Sequence, residues 1–226
     1  MLQQLFVFRK PMQKKEQAIK HSTILATFLL IVWGFYRFLF KLPEEIEELI
    51  IKPLVWLVPV YLLVRREKRG VSSVGITSKN LFPAIYISLI LGILFAVEGV
   101  FINYVKYKGV DFSANLVSNS LFISLGISFA TAVSEELAFR GYLFNRIWEA
   151  FGNEWKANLL TSVVWTLIHL PIAVFWWELN LAGVLGYLLL TLIFGIGSAF
   201  VFAKTKNVAS SILLHIFWEW PIVLFR

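Results

Sequence analysis

Apolar residues run through this chain in long blocks separated by short polar stretches, with no sustained alternation of the strand type. A helix needs about 20 apolar residues to cross a bilayer. Seven blocks reach or approach that length: 22–40, 52–65, 81–104, 117–147, 157–177, 181–203 and 208–225. The second is short, and the acidic stretch before it (Glu44, Glu45, Glu47, Glu48) predicts an amphipathic interfacial segment leading in. The fourth is long enough to tilt or protrude. The pattern predicts an all-α fold, a polytopic transmembrane helical bundle of about seven spans.

Composition agrees. The chain is 58% hydrophobic and only 15% charged, with a mean hydropathy of +0.74, whereas a soluble domain is roughly 45–50% apolar and about 25% charged. Lipid is the solvent that accommodates the excess. Cysteine is absent, which removes disulfides, a thiol nucleophile and any cysteine metal site. The net charge of +7 is spread between the apolar runs, so it reports topology and not nucleic-acid binding.

The basic residues fall in the N-terminal segment 1–21 (Arg9, Lys10, Lys14, Lys15, Lys20), after the second run (Arg65, Arg66, Lys68, Arg69, Lys79), between the fourth and fifth (Arg146, Lys156) and after the sixth (Lys204, Lys206). If seven spans alternate, these lie on one side. The other side receives the glutamate cluster, Lys106, Lys108 and Glu178. The expected topology is a cytoplasmic N-terminus and an external C-terminus in the plasma membrane. The first run begins near Ser22 with no small-residue cleavage site and reads as a retained anchor.

Several ionisable residues lie inside predicted spans, where charge is costly and faces a cavity or a partner: Glu98, Glu135, Glu136, Arg140, His169, His215 and Glu219. Glu135, Glu136 and Arg140 read E-E-x-x-x-R. Four residues apart on a helix, Glu136 and Arg140 share a face and can pair. Glu135 is rotated by about 100° and left to act as a general base, or else all three form a structural ion network. Counted at about 1.5 Å per residue, Glu135 lies roughly 16 Å from Arg146, His169 about 18 Å from Asn158 and His215 about 12 Å from Asn207. Three helices thus bring polar groups to similar depth, which suits one cavity. Pro171 is expected to bend the fifth helix and free a carbonyl near His169. Gly195, Gly197, Ser198 and Ala199 read as a close-packing patch, and Glu98 as structural.

Elimination narrows the chemistry. Asp111 is the sole aspartate and sits in a loop, no H-E-x-x-H occurs, and Gly195-Ile196-Gly197-Ser198 does not fit G-x-S-G. Glutamate and histidine activating water remain. In order and spacing the motifs resemble those of the CPBP family, the CAAX proteases and bacteriocin-processing enzymes also called Abi. Its E-E-x-x-x-R matches Glu135, Glu136 and Arg140; its F-x-x-x-H corresponds to Trp165 and His169, with tryptophan for phenylalanine; its H-x-x-x-N/D falls on His215 and Glu219. The likeness covers about 116–226, as a catalytic core within a single domain. Residues 22–115 match only as generic N-terminal spans.

The resemblance implies an intramembrane endopeptidase. Glu135 and His169 would orient and deprotonate water, His215 and the residue four later would stabilise the oxyanion, and Glu136 with Arg140 would be the supporting pair. It implies membrane lipid and a peptide or lipopeptide substrate as partners. Glu219 departs from the pattern, because an ionised glutamate repels an oxyanion. It must be protonated, rotated away, or a metal ligand. The expected cofactor is therefore none, or a zinc ion held by Glu135, His169, His215 and Glu219. Two other readings stand beside this one: an inactive scaffold or immunity protein on the same fold, and an ion-coupled transporter, against which no repeated halves are visible.

Overall fold

In hydrocarbon an unpaired backbone N–H or C=O costs several kcal/mol, and each apolar run accordingly closes its hydrogen bonds internally as helix. The computed structural model describes residues 11–112 and 121–225. Arg9 and Lys10 lie outside the described residues. So do 113–120, which hold the start of the fourth predicted run and the boundary at 115/116.

In chain order the helices are α1 (Pro11–Leu39), α2 (Glu44–Ile46), α3 (Lys52–Arg66), α4 (Leu81–Tyr107), α5 (Leu121–Glu136), α6 (Asn145–Phe151), α7 (Glu154–Ile168), α8 (Leu181–Thr205) and α9 (Val208–Leu224). Among the described residues, five helical stretches are long and apolar enough to cross a membrane: Lys14–Leu39, Leu81–Tyr107, Phe122–Phe151, Glu154–Trp176 and Leu181–Thr205. The shorter α3 and α9 complete the seven predicted runs. Asparagine starts three helices by side-chain capping: Asn153 accepts from the Lys156 N–H, Asn180 from Gly183 and Asn207 from Ala209.

The acidic stretch is continuous with the run it leads into: α2 passes through a π-helical turn, Glu47–Ile51, directly into α3. Glu47 and Glu48 are buried, and both pair with Arg37 of α1. Carboxylates taken out of water need such partners. Two further π-helical segments, Leu137–Phe144 and Ile172–Trp176, follow Glu136 and His169. All three widened turns adjoin buried polar residues, a placement common at functional sites.

Small residues set the helix approaches. On α4, a Cβ at Gly92 would meet the Phe217 ring at 2.6 Å and one at Gly99 would strike the Trp218 carbonyl, so α4 lies directly along α9. Asn103 strengthens that contact by donating to the Pro221 and Phe225 carbonyls at 2.6 and 2.9 Å. The central core is aromatic, with Trp56, Phe139, Tyr142, Trp165, Phe194 and Phe202 fully buried.

One end of the bundle is knitted together by polar contacts. Glu67 accepts from His21, Tyr142 and Arg146 at 2.6–2.9 Å, Arg146 reaches the Ser73 carbonyl at 3.2 Å, and Asn207 donates to the Thr77 and Lys79 carbonyls at 2.8 Å. At the other end the contacts are aromatic. Lys106 lies 3.9 Å above the Trp177 ring, and Phe38 packs edge-on to Phe175.

Candidate active site

Helix α5 and its π continuation carry the first motif. Glu136 and Arg140 are both 0% exposed and pair at 3.1 Å, as their i,i+4 spacing predicts. Glu136 is more than half of a pair, however. Its Oε1 also accepts from His215 Nδ1 at 2.8 Å, and its Oε2 accepts from Ser198 Oγ at 2.8 Å. Arg140 donates to the Gly195 carbonyl at 3.1 Å and its guanidinium lies 4.7 Å from the Trp165 ring centre. The small-residue patch on α8 therefore does two jobs. Gly195 lets α7 approach, since a Cβ there would sit 3.1 Å from Ser162, and Ser198 holds the buried glutamate.

Glu135 points away from that hub, as its 100° offset requires. Its Oε2 accepts the indole N–H of Trp165 at 2.9 Å, and its Oε1 lies 3.0 Å from the Lys52 ammonium. Lys52 pairs in turn with Glu48, whose other contacts are Arg37 at 3.2 Å and the Thr131 hydroxyl at 2.6 Å. A chain of buried charges thus runs from α1 through α3 to α5. Trp165 stands at the phenylalanine position of the motif, and of the two residues only tryptophan offers a donor there.

His169 ends α7. Its backbone N–H bonds the Thr166 carbonyl at 3.0 Å, one residue short of the α-helical partner, which leaves the Trp165 carbonyl open. The ring Nδ1 takes that carbonyl at 2.7 Å. A carbonyl only accepts, so Nδ1 carries the proton and the Nε2 lone pair is available. Nε2 lies 3.9 Å from Glu135 Oε2, too far for a direct hydrogen bond. The sequence predicts a carbonyl freed near His169 by Pro171, which would be that of Leu167; the carbonyl that His169 takes up is instead that of Trp165.

Glu219 is four residues beyond His215 on α9, but it turns toward α5, where its Oε2 accepts from Ser128 Oγ at 2.9 Å. Glu135, His169, His215 and Glu219 all line one cavity of about 340 Å³, together with Lys52, Thr131, Trp33, Trp56 and Trp218. Glu98 is not among them; it sits on α4 with Oε1 unpartnered.

This donor set does not fit a zinc ion. Both Glu135 oxygens face N–H donors, one of them a cation, and His215 spends Nδ1 on Glu136. Among the described residues, no three His, Cys, Asp or Glu side chains converge on a metal position. Sequence reasoning missed Lys52, Arg37, Glu48, Ser128 and Thr131. Charge inside or at the edge of a predicted span is the signal that could have flagged the first three, since Arg37 lies within 22–40, Lys52 begins 52–65 and Glu48 precedes it.

Residues 117–221 match the family model described as type II CAAX prenyl endopeptidase Rce1-like. No curated protein and no solved structure matches the chain.

Proposed function

Because residues 117–221 match the family model of Rce1-like endopeptidases, we propose that this integral membrane protein hydrolyses a peptide bond with a water activated by Glu135 and His169. The observation carrying the reading is the 3.9 Å gap between Glu135 Oε2 and His169 Nε2 at the floor of a cavity. A water hydrogen-bonded to both atoms fits that span at about 2.8 Å from each.

The partners of each group suggest the division of labour. Glu135 is tethered by Lys52 and Trp165 and orients the water. His169 Nε2 takes its proton as the hydroxide attacks the peptide carbonyl carbon. His215 Nε2 donates to the resulting oxyanion. Since Nδ1 already donates to Glu136, this requires the doubly protonated ring, for which Glu136 is the counter-charge. The tetrahedral adduct collapses, the C–N bond breaks, and the leaving nitrogen takes the proton from His169. The products are a carboxylic acid and an amine, which leave as carboxylate and ammonium once the acid's proton passes to the amine. Glu219, drawn to Ser128, leaves the oxyanion position to His215.

The N-terminus is assigned to the cytoplasmic side on the distribution of lysine and arginine. The substrate is a peptide or lipopeptide. One observation favours the non-enzymatic scaffold: the Lys52–Glu135 ion pair is also what a purely structural network contains. Cleavage of a peptide library by purified protein in detergent decides between them. Cleavage that is lost in Glu135→Ala supports hydrolysis; no cleavage of any peptide by a folded wild type supports the scaffold.

A further inference from the structure

The two ends of the bundle differ in charge, and the cavity reaches only one of them. At the knitted end, where His21, Glu67, Ser73, Arg146 and Asn207 interlock, stand Arg65, Arg66, Arg69, Lys79, Lys204 and Lys206. At the aromatic end, among the described residues, the basic residues outside the bundle core are Lys41, Lys106 and Lys108, with Glu44, Glu45 and Glu178 among them. Short loops rich in lysine and arginine stay on the cytoplasmic side.

The cavity wall along α5 descends through Ser124, Ile127 and Thr131 to Glu135, about 16 Å at a helical rise. Ser124 belongs to the aromatic end. The exposed members of the lining, Glu44, Glu45 and Tyr107, lie there too, as do Trp176 and Trp177. Beyond Glu135 the way is shut. Phe139, Tyr142, Leu143 and Phe144, each at most 1% exposed, fill the continuation of the same helix toward Arg146. The cavity is a cul-de-sac with its mouth opposite the basic loops.

We infer that the site is entered from the extracytoplasmic face of the membrane, so that its substrate is a peptide segment presented at the outer surface. This rests on the hydrolytic reading of Glu135 and His169 for the word substrate, but not for the side of entry. A prenylated C-terminus held at the cytoplasmic surface would meet the closed end. A segment emerging at the outer leaflet meets the rim of Glu44, Glu45, Lys106 and Trp177 and can descend to the catalytic floor.

The absence of cysteine makes the test clean. Single-cysteine variants Glu45→Cys at the mouth, Ser124→Cys inside the cavity and Lys156→Cys at the basic end are exposed to a membrane-impermeant thiol reagent in intact cells. The expected result is labelling of Glu45→Cys and Ser124→Cys without permeabilisation, and of Lys156→Cys only after it. Labelling of Lys156→Cys in intact cells while Glu45→Cys stays protected would overturn the inference. So would a Ser124→Cys that reacts only once the cytoplasmic side is opened. Labelling needs no turnover, so repeating it in the Glu135→Ala background separates a wrong side of entry from a wrong reaction.

Discussion

Lys52 Nζ lies 3.0 Å from Glu135 Oε1, joining a helix of the N-terminal half to the first glutamate of the motif across 83 residues of sequence. Both side chains are buried, and the ion pair aims the other carboxylate oxygen at His169. Removing one member of such a pair strands the other at a cost of about 3–5 kcal/mol. Lys52→Met is expected to lower thermal stability in detergent, and Lys52→Met with Glu135→Gln to recover part of the loss. A single variant as stable as wild type would contradict the pairing.

Trp165→Phe keeps an aromatic at the motif position but deletes the N–H that Glu135 accepts at 2.9 Å. A hydrogen bond to a charged group contributes about 1.5–3 kcal/mol, so cleavage is expected to fall roughly 10- to 100-fold. An unchanged rate in the phenylalanine variant would show that the indole does not position the carboxylate.

These two contacts mark where sequence reading stops. The Glu136–Arg140 pair is legible because i,i+4 geometry is local to one helix. The convergence of Glu135, His169 and His215 is legible because depth along a span can be counted from its end. Lys52 is not, since a lysine at the start of an apolar run looks like any residue at a membrane boundary. Glu47 and Glu48 read as part of an interfacial acidic face for a related reason: their partner Arg37 lies on another helix. Ser198 reads as a packing residue because a small hydroxyl carries no signal of the glutamate it will meet. The turn of Glu219 toward Ser128 is one of three options the sequence leaves open.

Glu219→Asn restores the amide of the family motif beside His215. It is expected to keep or raise peptide cleavage, because the amide can donate to an oxyanion and the carboxylate cannot when ionised. A fall in rate with unchanged folding would mean that Glu219 itself serves the reaction.

At the basic end, burial alone would raise the Glu67 carboxyl, but hydrogen bonds from Tyr142, Arg146 and His21 outweigh it and hold the group below the ordinary carboxylate range. A carboxyl lowered in the folded state stabilises fully above its unfolded value, about 4.3, and loses that contribution as pH falls through the folded one. Wild type is therefore expected to lose melting temperature more steeply than Glu67→Gln as pH drops below about 4.3. Parallel curves would remove Glu67 from the linkage.

The most direct test of water activation by Glu135 is the cleavage rate of Glu135→Gln, measured at matched amounts of folded protein. Lys52 keeps Glu48 as a partner in this variant, and the side-chain carbonyl introduced in place of the carboxylate can still accept the Trp165 N–H, so folding is expected to survive. The predicted result is a folded protein with no detectable peptide cleavage. Cleavage at the wild-type rate would contradict the assignment and leave the buried charges of this site as scaffold alone.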